Sequence, residues 1–171
     1  MKKYFYIVLL FAVSAYSRVF AANSDKASWG VETNGICMSI QLDDSSRTNT
    51  ETHNIILLFN IKNISTNKTF EIYESNVVEY SHAYSFEITF PSGKKLSLPP
   101  GGRSGSGAFS IIRPQRIKEF KFRLSDIFNF NETGDYQIIA KRTMVEPETG
   151  KVFVLTSNLL KVHIAYKSDS R

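Results

Sequence analysis

Apolar residues in this chain recur at every second position, in short runs divided by turn residues, and no stretch carries the spacing of a long amphipathic helix. Side chains alternate across a strand, so each such run offers one face to a core and the other to water. Ile36, Met38, Ile40 and Leu42 form one face, and Tyr84, Phe86, Ile88 and Phe90 another. Phe120, Phe122 and Leu124, then Leu160, Val162 and Ile164, repeat the pattern. The run from Asn54 to Asn63 differs, because Ile55, Leu57, Phe59 and Ile61 share one face while Ile56 and Leu58 load the other. A strand apolar on both sides belongs in the middle of a sheet. Shorter strands are expected at Thr69–Tyr73, Lys95–Leu98, Phe109–Ile112 and Lys151–Thr156, set off by the turns Pro91-Ser92-Gly93-Lys94, Arg113-Pro114-Gln115 and Pro147-Glu148-Thr149-Gly150. Residues 74–83 have no clear period and read as an irregular crossover between sheets. Ser125 to Phe130 reads as a short helical turn in which Ile127 and Phe128 cover the core. The fold class is therefore all-β, a single antiparallel sandwich.

The strand from Tyr136 to Met144 organises the rest. A polar turn, Asn131-Glu132-Thr133-Gly134, delivers the chain to Asp135-Tyr136, an arrangement that resembles the tyrosine corner of immunoglobulin-like sandwiches, which implies the Tyr136 ring in the core and its hydroxyl bonded to the upstream backbone. Ile138 follows it inward, with Lys141 and Arg142 near the strand's exposed end. Trp29, the one tryptophan, stands at the entrance of the first strand and is expected to lid the core.

The 171 residues, 42% of them hydrophobic, suit one domain. Lys2 and Lys3 ahead of the apolar run Tyr4–Ala15, then Val19-Phe20-Ala21, read as a signal peptide over residues 1–21. A retained anchor is the alternative, although the run is shorter than the roughly 20 residues that span a bilayer. Residues 22–28 are then a flexible start, 29–165 the sandwich and 166–171 a polar tail. The leader takes Lys2, Lys3 and Arg18 of the 21 basic residues, leaving 18 against 16 acids, so the mature chain carries about +2. Export and a near-neutral charge argue against nucleic acid as a partner. A lone cysteine permits no internal disulfide. Cys37 reads as a small, partly buried side chain, because a reactive thiol needs a low pKa and exposure.

Signs of catalysis are few. His53, His82 and His163 stand apart without a second His or Cys at metal-ligand spacing, and Gly102-Arg103-Ser104-Gly105-Ser106 lacks the ending and context of a nucleophile elbow. Loop acids such as Asp43 and Asp44 read as solvated. A non-enzyme without cofactor or metal is expected. The stretch 99–107 is Gly-rich and reads as a mobile loop; Arg103 and free N–H groups would also suit an anion, yet the stretch lacks the Gly-Lys-Ser/Thr of a phosphate loop. Arg103, Lys121, Arg123, Lys141 and Arg142 form the candidate interaction surface, a positive face if their strands are neighbours. The same residues also suit ordinary solubilisation of strands. Asn63, Asn67 and Asn131 each begin an Asn-x-Ser/Thr acceptor pattern.

Asn60-Ile61-Lys62-Asn63 closing an apolar strand, the Phe86 strand before Pro91-Ser92-Gly93-Lys94, and Gly134-Asp135-Tyr136 opening another resemble exported bacterial immunoglobulin-like or fibronectin-like domains over residues 29–165. Ile138 stands where antibody domains carry the second disulfide cysteine, so packing would replace the bridge here. More loosely, the order is similar to a bacterial β-sandwich proteinase-inhibitor family. The leader, the scarcity of catalytic motifs and the sandwich together give the expectation of a secreted or periplasmic, non-catalytic module that binds an extracytoplasmic protein or glycan through an exposed sheet face or the Gly-rich loop; loop-mediated proteinase inhibition and a structural envelope role are the alternatives.

Overall fold

The computed structural model describes residues 28–44, 55–75, 84–100, 107–146 and 148–165. The expected leader, Arg103, His53, His82 and the polar tail lie outside them. The described chain is nearly all strand and antiparallel throughout: β1 (Ile36–Leu42), β2 (Ile56–Asn63), β3 (Phe70–Ser75), β4 (Tyr84–Thr89), β5 (Lys95–Leu98), β6 (Gly107–Ile112), β7 (Ile117–Arg123), β8 (Gly134–Val145), β9 (Val152–Thr156) and β10 (Leu160–Ile164). A 3-10 turn at Leu124–Asp126 joins β7 to the approach of β8.

β2 lies between β1 and β7, as its two-sided apolarity predicts. A second sheet runs β10-β8-β4-β5 with β9 also on β8, and β3 pairs β6 separately. Phe59 of β2 meets Tyr84 and Phe86 of β4 with centroids 4.8 and 6.2 Å apart, and Phe86 lies 5.2 Å from Phe122 of β7. The apolar faces of the two larger sheets therefore share one core, which also takes Phe70 and Ile72 of β3 and Ile112 of β6.

Phe90, at the end of β4, packs 5.5 Å from both Phe128 and Tyr136, and Phe130 lies 4.6 Å from Phe128 and 5.0 Å from Tyr136. Tyr136 is fully buried, and its hydroxyl accepts the N–H of Glu132 at 2.8 Å, the bond back to the upstream backbone that the corner called for. Ile138 is likewise fully buried. The Glu132 carboxylate accepts from the Ser92 N–H and hydroxyl, tying the corner to the β4–β5 turn. At the opposite end, fully buried Asn63 donates to Lys68 C=O and Ile112 C=O and accepts from Ser65. Its amide nitrogen is thus committed to the fold, which leaves exposed Asn67 and Asn131 as the accessible acceptor patterns.

β9 and β10 lie end to end on one edge of β8. Thr156 pairs Lys141, yet Leu160 pairs Ile138, so three residues of one strand stand opposite two of the other. That extra residue is a β-bulge. The Ala140 N–H is taken by the Ser157 hydroxyl at 2.9 Å, while the bulged Asn158 turns its carboxamide onto Ile40 of β1, in the other sheet. Gly30 sits beside it: its N–H donates to Met38 C=O, and a Cβ there would stand 1.9 Å from the Thr156 carbonyl oxygen. Trp29 does not lid the core. It is half-buried with the Lys62 ammonium 5.8 Å over its ring, and Lys62 faces outward because Ile61 and Asn63 face in.

Candidate functional site

The positive face suggested by sequence is not assembled. Lys121 and Arg123 lie on β7, Lys141 and Arg142 on β8, and those strands belong to different sheets. Three of the charges face acids: Lys121 lies 2.8 Å from Asp43, Arg123 4.0 Å from Asp126, and Lys141 pairs Glu87 of the adjoining strand. The Asp43 carboxylate holds the Lys121 ammonium above its ordinary range. Arg142 is not at the surface. Inward positions on β8 run Tyr136, Ile138, Ala140, Arg142, Met144, and Arg142 is 2% exposed with its guanidinium 4.4 Å from the Tyr84 ring and 5.9 Å from that of Phe120. Stacking on aromatic faces is a favoured way to bury a guanidinium.

Cys37 is buried, and burial pushes its thiol up despite Lys62 nearby, opposite to what a reactive cysteine requires. Among the described residues no three His, Cys, Asp or Glu side chains gather to hold a metal ion. His163 pairs Asp135 across β10 and β8 at 2.7 Å, both exposed.

What stands out is the outer face of the ribbon made by β8 with β9 and β10. Its outward positions are Asp135, Gln137, Ile139, Lys141, Thr143 and Val145 on β8, Val152, Val154 and Thr156 on β9, Leu159 in the bulge and Lys161 and His163 on β10, so the apolar ones gather at the β8–β9 hairpin end, with Leu159 beyond Lys141 and Thr156. Val145 pairs Val152 and Thr143 pairs Val154, so the side chains form adjacent rows. Four of the seven large hydrophobics exposed among the described residues lie here: Val145 at 49%, Val152 at 61%, Val154 at 48% and Leu159 at 47%. Sequence reading placed Val152 and Val154 in a strand without asking which way they point. Their parity with inward Phe153 and Leu155 carried that signal.

The ribbon is held firmly. Glu146 at the hairpin mouth accepts from Lys68 Nζ at 2.6 Å and from the Thr149 hydroxyl at 2.7 Å. Those two bonds hold its carboxyl below the usual range, and Lys68 is raised in turn. Glu146 N–H donates to Lys151 C=O, closing the turn.

No family model matches the chain, and no curated protein matches it. Among solved structures it is similar to a Northeast Structural Genomics Consortium target, SoR45, at 14% identity and a TM-score of 0.49, over 78% of this chain and 90% of that one. It is also similar to a candidate ApaA protein from Bordetella pertussis, at 8% identity and a TM-score of 0.43, over 75% and 91%.

Proposed function

We propose that this chain is an exported, non-catalytic interaction module with an immunoglobulin-like β-sandwich fold, acting in the periplasm or outside the cell. It binds an extracytoplasmic protein through the outer face of the β8–β9–β10 ribbon. The observation that carries this reading is the row of exposed Val145, Val152, Val154 and Leu159 on a well-braced sheet face. An apolar cluster on a rigid face is what a protein partner desolvates, and scattered single residues would not have this meaning. The buried Tyr136 corner and the meeting of two antiparallel sheets at Phe59 and Phe86 support the sandwich.

The test is affinity capture from envelope and secreted fractions with residues 22–171 as bait, run beside a Val145→Lys/Leu159→Lys variant. A partner held in near-equal amount by the first bait and lost by the second is expected. The same capture by both baits removes the ribbon face from the reading, and capture of a glycan polymer instead of a protein replaces the partner class.

A further inference from the structure

The backbone of β9 offers a second kind of surface beside those side chains. Glu146 with Lys151, and Ala140 with Ser157, are hydrogen-bonded partners, so by alternation Phe153 and Leu155 direct their N–H and C=O groups to β8. Val152 and Val154 then direct theirs away from β8. Among the described residues nothing pairs with them there. The other edges of the two larger sheets are managed: β5 carries Lys95, β7 carries Lys121 and Arg123, β10 carries Lys161, and β1 is closed by Gly30 and Asn158, while β6 of the separate pair is uncharged like β9. From Val152 to Leu155, β9 has no charge and no proline. An open, apolar edge of this kind is a template for strand pairing.

We propose that this edge pairs with β9 of a second copy, antiparallel, about a two-fold axis at Phe153. This rests on the ribbon being an interaction surface and names one occupant of it. The edge is complementary to itself: with Phe153 at the axis, Val152 faces Val154 of the other copy and Val154 faces its Val152. Each pair exchanges both backbone bonds. Paired residues point to the same side, so the Val145, Val152 and Val154 rows of the two copies become one continuous apolar face. Like charges stay apart, because Lys151 of each copy falls opposite Leu155 and the two lysines stand roughly 14 Å from each other at strand spacing. The pairing ends naturally at the Gly150 turn on one side and at Gly30 against Thr156 on the other.

Sedimentation of the purified mature chain over a wide concentration range is the test, with Val154→Lys as the edge variant and Ile111→Lys, an exposed residue of β6, as the control. A reversible dimer is expected. Val154→Lys should weaken it by roughly tenfold or more, through the lost apolar contact with Val152 of the other copy and the added like charge, and Ile111→Lys should leave it unchanged. Amide exchange at Val152 and Val154 should slow as dimer forms. A chain that stays monomeric overturns the pairing, and so does a dimer indifferent to Val154→Lys or one without slowed exchange at those amides. A monomer that still captures a partner through Val145 and Leu159 overturns the pairing alone. A Val154-dependent dimer that captures nothing supports the pairing and removes the outside partner.

Discussion

The carboxamide of Asn158 takes the place of a neighbouring strand beside Ile40. Its Oδ1 accepts the Ile40 N–H at 2.7 Å, and its Nδ2 donates to the Ile40 C=O at 3.1 Å, across 118 positions of sequence. One side chain thereby satisfies both backbone groups of Ile40 on the open edge of β1 and joins the two large sheets. Asn158→Ala is expected to destabilise the fold by about 2 kcal/mol, two net bonds plus their partial desolvation, read from the midpoint of urea unfolding. Exchange at the Ile40 amide should accelerate more than at the neighbouring Met38.

Tyr136→Phe keeps the ring among Phe90, Phe128 and Phe130 and removes only the acceptor for the Glu132 N–H. The cost is expected near 1 kcal/mol, a fall in Tm of roughly 2–4 °C for a domain of this size. Tyr136→Ala empties the aromatic cluster and should cost about 3–5 kcal/mol by analogy with Phe→Ala.

The Lys68–Glu146 clasp sets a pH signature. Glu146 has a folded pKa below its ordinary 4.5, so its contribution is complete above the unfolded value and is lost as pH falls through the folded one. Lys68 has a folded pKa above 10.5, so its contribution is complete below 10.5 and is lost as pH rises through the folded value. Thermal melts of Lys68→Met against the unaltered chain should differ most across the neutral range and converge toward both extremes. A difference that stays constant with pH would assign the clasp to packing instead.

Gly30→Ala places a methyl 1.9 Å from the Thr156 carbonyl oxygen and 2.6 Å from Ser157 carbonyl carbon, both backbone atoms. The strand must move, and a loss of about 1–3 kcal/mol is expected, as for overpacking. Gly93→Ala is the contrast: its strain comes only from a φ of 83°, with nothing within 4 Å. It should cost about 1 kcal/mol, near the lower end of the Gly30 range.

Strand positions were legible in the sequence because burial on one face writes itself into period two. The β4–β5 hairpin and Tyr136 corner were legible because Pro, Gly and Tyr have narrow backbone or hydrogen-bonding roles there. Arg142 was misplaced because its charge outweighed its parity with Tyr136 and Ala140, and the aromatic faces that accept it come from β4 and β7, distant in sequence. The basic surface failed for a related reason. Outward parity is a property of each strand, whereas a shared face depends on which strands are neighbours, and β7 and β8 part into different sheets. Phe130 was passed over because it lies in irregular chain, where no period marks burial, yet it is 1% exposed.

The bulge at Ser157–Leu159 also says something about synthesis. β1 is the first of the described strands, but its Ile40 edge is closed by Asn158, and β4, already in a hairpin with β5, obtains its second neighbour only when β8 has been made. A growing chain can pair β1, β2 and β7 by Arg123, but it has no way to complete the five-stranded sheet or to clip the Ile40 edge until β8 to β10 have been made, since such long-range pairing repays its loop-closure entropy only late. A chain ending at Val145 should remain protease-sensitive throughout. Late closure of this kind is what the proposed export requires, a polypeptide that has not yet locked its larger sheet.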